Sequence, residues 1–336
     1  MRQPNEIRPI FIAGSERSGT TLLRLMLHSH PRIAIPPQTK YLRKLYKRRL
    51  LFGNLHKEKN REKLAKWFLD HFDESTKLND LEIDKEPVRK WILESKSLGA
   101  ALAVPWIYYA QSHGKQRWGD KRPYYIHHME KLRQLYPDAQ VINVLRDCRD
   151  VVASLKEMPW WNNSVNYSIL NWKSAIQCGI NARMKTKLDE YLELRYEDLL
   201  TEPERELQRV CQFLGEPYDP GMLQFRELAK QVVPDYKMDW HSATREPLNT
   251  ISVGRWKKDL STAEISIVEW ATGDEMVQLG YTLSKAQDPD FHLRNRFEKE
   301  ARTFKAQHKR LEMINSIFSF LYKFILFNSG LICRHK

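Results

Sequence analysis

The 336-residue sequence predicts an α/β protein with a mainly parallel central sheet flanked by helices. Two observations carry this expectation. Short apolar runs alternate with segments of helical periodicity, the pattern of parallel strands joined by crossover helices. The first run also opens through a glycine-bracketed loop straight into a helix, a unit that open α/β sheets use at their ligand-binding edge. An apolar share of 42% is enough for a substantial core at this length.

In chain order, residues 9–13 read as a buried strand, 14–19 as a loop, and 20–28 as a helix in which Leu22, Leu23, Met26 and Leu27 recur at helical spacing. Residues 43–116 are helical in pattern and rich in Lys, Arg and Trp. No Pro/Gly/Ser linker bounds them, so they read as an insertion that walls a site. The run "AQVINVL" at 139–145 is a second strand, followed by a helix over 147–156; Asp147 and Asp150 read as its caps. A third strand is expected at 191–195 and a helix at 203–214. Beyond 286 the strand signals stop and the sequence becomes charged helix, which divides the chain into a core domain over 1–285 and a basic, then apolar, tail over 286–336. There is no internal repeat or low-complexity tract.

The net charge of +13 and pI near 9.4 call for an anionic ligand, substrate or surface. Part of the excess lies in 43–66 and 299–310, where a solvated helix face accounts for it equally well. These basic clusters lack the interleaved aromatics of a nucleic-acid module, so no nucleic-acid partner is expected. Cys148, Cys178, Cys211 and Cys333 are scattered and form no framework, which predicts free thiols in a reducing, cytoplasmic setting. The close histidine pairs, His28 with His30 and His127 with His128, lack the i, i+4 spacing of a helical metal site, so no metal is expected. No apolar segment of signal length precedes the first strand. The run 313–332 is apolar but interrupted by Asn315, Lys323 and Asn328; a packed or partner-binding helix, a helix lying on a membrane surface, and a spanning helix all fit it.

The chemistry begins at "FIAGSERSGTTLLRLML", residues 11–27. Gly14 and Gly19 have the spacing of G-x-x-x-x-G-K-[ST], but Thr20 stands where a nucleoside triphosphate loop keeps its lysine. Backbone N–H groups at a helix start still favour an anion, and Arg17 supplies charge from inside the loop. An ordinary strand-to-helix turn is the alternative. The strand 141–145 ends in Arg146, where a triphosphatase would offer an acidic residue for Mg²⁺. Arg146 and the loop therefore suit one ligand with two anionic groups.

Five ordered motifs resemble the sulfotransferase family. "GSERSGTTLLRLMLHSHP" (14–31) is similar to its 5'-phosphosulfate loop, and "VINVLRDCRDVVASL" (141–155) to its 3'-phosphate-binding strand and helix. "SVGRWKKDLS" (252–261) resembles the segment that covers the cofactor; "WGDKRP" (118–123) and "LRYEDLLTEPERELQRVCQFLG" (194–215) match the bacterial-type and protein-tyrosine branches. The resemblance implies a P-loop-like sulfotransferase fold and metal-independent transfer of a sulfuryl group from 3'-phosphoadenosine 5'-phosphosulfate (PAPS) to a hydroxyl or amine. It implies that Arg17, Ser18, Gly19, Thr20 and Thr21 hold the 5'-phosphosulfate, and Arg146 and Ser154 the 3'-phosphate. Tyr196 would lie by the adenine or ribose, and Arg255 with Trp256 would close over the cofactor. Lys121 would meet the leaving bridge oxygen, with a surface salt bridge to Asp120 as its alternative.

Three departures qualify the match. Gln38 stands where the tyrosine-sulfating branch has its glutamate base, so Gln38 would orient the acceptor while Glu16, His127, His128 or water takes the proton. Asn249, Thr250 and Ile251 replace an Arg-Lys-Gly grip on the 3'-phosphate. Cys148 replaces a usual Pro or Gly. A non-catalytic PAPS-binding or PAP-binding protein (PAP being the desulfated bisphosphate) and a small-molecule kinase stand as alternatives. The acceptor classes left open are carbohydrate, lipid and other small molecules; residues 43–116 and the Trp160-Trp161 loop would shape the pocket. A peripheral place at the membrane would follow if 313–332 lies on its surface.

Overall fold

The structure is a computed structural model that describes residues 7–232 and 248–328, without the side chains of 229–232 and 311–328. Strand β1 (Ile10–Gly14) leads to helix α1 (Thr20–Ser29) and a short β2 (Ile33–Ala34). Helices α2 (Tyr41–Arg48), α3 (Glu58–Asp70), α4 (Lys85–Glu94) and α5 (Leu98–Ser112) precede β3 (Arg117–Lys121). Then come α6 (Met129–Leu135), β4 (Gln140–Leu145), α7 (Cys148–Lys156), α8 (Val165–Lys185) and β5 (Tyr191–Arg195). Helices α9 (Tyr196–Thr201), α10 (Pro203–Leu214), α11 (Phe225–Val232), α12 (Trp256–Asp259), α13 (Thr262–Gln278) and α14 (Phe291–Asn328) complete the described chain.

Among the described residues five strands form one sheet in the order β2-β3-β1-β4-β5, and every pairing is parallel. The chain leaves β1 towards β2 and β3 on one side, then crosses to β4 and β5 on the other. This reversal makes the carboxyl end of β1 a topological switch point, where α/β sheets bind their ligands.

Alternation along β1 divides the core. Ile10 and Ile12 face α1, α9 and α10; Phe11 and Ala13 face the layer built by α2 to α5. Phe11 is ringed edge-on by Trp106, Trp118 and Tyr125 at 5.4 to 6.1 Å. A third cluster joins α7, α8 and α13 to Phe297 and Phe304 of α14, both buried. No described helix is long and apolar enough to cross a membrane. The side chains of 313–328, and residues 329–332 altogether, lie outside the description.

The three strands anticipated in sequence occur within a residue of their expected limits, whereas β2 and β3 were not anticipated. β3 reads Arg-Trp-Gly-Asp-Lys, yet all five residues are buried. Each charged side chain has at least one hydrogen-bond partner. Arg117 donates to the carbonyls of Leu214 (2.7 Å) and Arg8 (2.8 Å) and to Gln140 (2.8 Å), and pairs with Glu216 at 3.2 Å. Asp120 accepts the Tyr125 hydroxyl, and Lys121 reaches two polar side chains at the sheet edge. Gly119 is required for close approach, because a Cβ there would stand 2.4 Å from the Ile10 carbonyl. Burial of Asp120 and Lys121, at 1% and 5% exposure, also overturns the alternative of a surface salt bridge between them.

Asp147 caps α7 as expected, accepting the Arg149 N–H at 2.8 Å. Arg149 is itself buried between Asp147 and Glu269, at 2.6 Å from each. Arg149→Met removes the cation and strands both carboxylates, so it is expected to cost about 3–5 kcal/mol of stability. Urea denaturation measures this; a loss of under about 1 kcal/mol would mean that the pair contributes no more than a surface one.

Candidate active site

The sequence candidates converge because each follows the carboxyl end of a strand. β1 ends in the Gly14–Thr20 loop, β3 ends at Lys121, β4 is followed by Arg146, and β5 by Tyr196. Register brings the ends level: Ile12 pairs with Lys121, Gly14 with Val144, and Leu145 with Arg195.

The loop is built for close approach. Gly19 has φ 93°, and a Cβ on it would lie 2.1 Å from the Tyr196 ring. Only glycine lets that ring lie against the loop. Ser18, fully buried, ties the loop by donating to the Ser15 carbonyl at 2.8 Å. Arg17 adopts a left-handed φ of 63°, unusual for a side-chain-bearing residue. Helix α1 then starts at the buried Thr20 with no side-chain cap and no acidic residue in its first turn. The positive end of the helix is left for an anion.

Two cationic cups flank this loop. In one, Arg17 Nε donates to Ser154 Oγ at 2.9 Å, and Arg146 donates to the carbonyls of Arg17 (2.8 Å) and Ser252 (2.7 Å). The Arg146 guanidinium lies 4.6 Å from the Tyr196 ring centroid, and the Tyr196 hydroxyl meets Ser252 Oγ at 2.8 Å. Burial, with Arg146 and Arg255 close by, lowers the Arg17 pKa to about 10. Crowded cations of this kind are relieved by an anion. Arg146 Nε is buried with no hydrogen-bond partner among the described residues, a donor that suits a phosphate oxygen.

In the other cup, Lys121 Nζ donates to Gln38 Oε1 at 2.8 Å and to Thr21 Oγ1 at 3.2 Å. Thus Lys121, Gln38 and Thr21 are brought together, as are Arg17, Arg146, Ser154 and Tyr196.

The third segment closes the first cup from above α7. Asp150, read in sequence as a helix cap, instead accepts the backbone N–H groups of Gly254 (2.7 Å) and Trp256 (3.0 Å). Trp256 is buried with Arg149 at 4.0 Å over its ring, and Arg255 pairs with Asp259 at 2.5 Å and with Glu157. These carboxylates raise the Arg255 pKa against the effect of burial. Ser252, which holds both Arg146 and Tyr196, was missed as a site residue. A serine at the head of "SVGRWKKDLS" carries no periodic or charge signal. Ile251, in the replaced Arg-Lys-Gly position, is 81% exposed.

None of His28, His30, His127 and His128 makes a hydrogen bond to a residue of the cups. His28 and His30 are fully buried; Nδ1 of each accepts a backbone N–H, from Ile35 at 3.2 Å and from Arg32 at 3.1 Å. Burial beside Lys115 lowers the His28 pKa to about 2. His127 lies beside Cys178 and His308, and His128 beside Tyr124, Lys131 and Arg43; burial lowers both to about 4. Trp160 is 40% exposed, while Trp161 donates to Ser168 at 2.8 Å. Cys148, Cys178 and Cys211 are free thiols, and Cys333 lies outside the described residues. No group of three or more His, Cys, Asp or Glu among the described residues could hold a metal.

A glycine loop and an arginine-tipped strand meet at one switch point, the kind of place at which α/β proteins bind anions. The sequence profile of the sulfotransferase family matches residues 9–220, and the chain belongs to that family. It is 25% identical over 224 residues to protein-tyrosine sulfotransferase A of Caenorhabditis elegans, covering 65% of this chain and 53% of the relative. It is 27% identical over 308 residues to nodulation protein NoeE of Sinorhizobium fredii, covering 83% of this chain and 67% of that protein. Against several of the protein-tyrosine sulfotransferases it matches, the chain spans about half of their length. In structure it is similar to the sulfotransferase domain of the Synechococcus PCC 7002 olefin synthase, with a TM-score of 0.58 at 22% identity over 84% of this chain and 98% of that domain. This last likeness supports the P-loop-like sulfotransferase fold expected from the motifs.

Proposed function

We propose that the protein transfers a sulfuryl group from PAPS to a hydroxyl or amine of a carbohydrate, lipid or small-molecule acceptor. The observation that carries this reading is the pair of cationic cups on one glycine loop, formed from strands on both sides of the switch point. When bound, the donor supplies the sulfuryl group and a phosphate leaving group. Ser18, Gly19, Thr20 and Thr21 would hold the phosphosulfate on the N-terminal end of α1. Arg146 and Ser154 would hold the 3'-phosphate, Arg17 reaching Ser154 from the phosphosulfate loop, with Tyr196 and the Asp150-anchored turn at Arg255 and Trp256 closing over the nucleoside. Lys121 stands where charge would develop on the bridge oxygen, and a fixed cation helps most where charge develops. Gln38, held by Lys121, would orient the acceptor. Arg17, Lys121 and Arg146 supply the positive charge that a divalent ion would otherwise bring.

Calorimetry with PAP tests the cofactor reading, and ³⁵S-labelled PAPS offered with acceptor panels in EDTA tests transfer. Binding and EDTA-resistant labelling are expected; no affinity for PAP would refute the reading. Gln38 favours one competing reading, a binding protein without turnover, which predicts PAP affinity and no labelled product with any acceptor.

A further inference from the structure

We propose that Glu16, inside the phosphate loop, is the general base that takes the proton from the acceptor, replacing the glutamate that Gln38 displaced. The proposal rests on the sulfuryl-transfer reading above. Its basis is an elimination among the described residues around the two cups. Asp150 is spent on the N–H groups of Gly254 and Trp256, and Asp147 on Arg149. Glu197 accepts the Asp147 N–H at 2.9 Å and the Tyr281 hydroxyl at 3.1 Å. Glu157 and Asp259 hold Arg255; Asp120 holds Tyr125 with one oxygen and, at 1% exposure, keeps its other oxygen sealed in the core. His28 and His30 are sealed in the core. Glu16 differs from all of these: it is half-buried, accepts no hydrogen bond and closes no ion pair among the described residues.

Its surroundings are cationic. The charges that act on Glu16 are Lys121 and Arg122 from the end of β3 and its own neighbour Arg17, with Lys121 foremost. Glu16 lies four residues beyond Ile12, which is in register with Lys121 and accepts the Arg122 N–H at 3.0 Å, so the loop that carries Glu16 starts beside the Lys121 cup. Burial nevertheless raises its pKa above the ordinary glutamate range despite those three cations. A carboxylate raised toward working pH is a better proton acceptor while still ionised. In the step, the acceptor O–H bond breaks and its proton passes to a Glu16 oxygen. The freed electron pair forms the new S–O bond. The S–O bond to the bridge oxygen breaks, its pair leaving on the 5'-phosphate beside Lys121. Glu16 later releases the proton to water.

The test uses the whole chain, PAP, and labelled PAPS with phenol and octyl glucoside as probe acceptors. Glu16→Gln is expected to lower kcat by about 10²-fold or more and to abolish the acid limb of the pH–rate profile. PAP affinity should stay within about threefold, since the change leaves Arg17, Arg146 and Ser154 in place; each tenfold is about 1.4 kcal/mol. Glu16→Gln with Gln38→Glu is expected to regain at least about tenfold of the lost rate. Independently of turnover, ¹³C-carboxyl NMR should show a Glu16 resonance titrating above the ordinary range and missing from Glu16→Gln. Titration within the ordinary range, or a Glu16→Gln variant retaining kcat and its acid limb, would overturn the proposal. Loss of PAP binding by the wild-type chain would instead overturn the cofactor reading.

Discussion

Lys121→Ala is expected to reduce sulfuryl transfer by about 10²- to 10³-fold, the range found when one donor to a developing oxyanion is removed. Lys121 is the last residue of β3, its side chain is buried, and hydrogen bonds to Gln38 and Thr21 fix its ammonium at the sheet edge. A cation held this way is worth more than one on a flexible surface stem, because no reorganisation is needed when charge develops. The loss should fall on kcat, with PAP affinity changing much less. Lys121→Met, which keeps the length and loses the charge, should resemble Lys121→Ala; that separates electrostatics from the cavity. Single-turnover rates with labelled PAPS measure both, and full activity in either variant would remove Lys121 from its proposed role.

Arg146→Ala should weaken PAP binding by about 10²-fold, as truncating one member of a buried charge pair costs about 2–5 kcal/mol or more. The arginine also braces the cup, through the carbonyls of Arg17 and Ser252 and the face of Tyr196. Some loss of fold stability is therefore expected as well. Comparing PAP with adenosine 5'-phosphate distinguishes the two effects, since a lost 3'-phosphate contact penalises PAP alone. Calorimetry with both nucleotides gives the answer. Equal losses would mean that Arg146 acts only as a brace.

Much of this site was legible before folding because it lies in contiguous stretches. The spacing of Gly14 and Gly19, the arginine that ends the Val141–Leu145 run, and the order of the five motifs are properties of the chain. β1, β4 and β5 announced themselves as apolar or β-branched runs for the same reason. β3 did not, because its burial depends on partners far away. Arg117 needs the carbonyls of Leu214 and Arg8, and no local pattern encodes a hydrogen bond that spans 97 residues. Asp150 misled in the same manner. At the first turn of a helix it looks like a cap, and only the tertiary fold brings the N–H groups of Gly254 and Trp256 to it.

By itself, then, the sequence determined that the loop lacks the triphosphate lysine and which family shares this loop. Its residue types and their local spacing set these, and neither depends on what lies across the sheet. Only the tertiary structure decided which charges are already satisfied. Parallel register brought Lys121 level with the loop, packing occupied Asp147, Asp150 and Glu197, and among the described residues Glu16 was left without a hydrogen bond. Partnership inside a protein is a matter of distance in space, which a linear chain does not record.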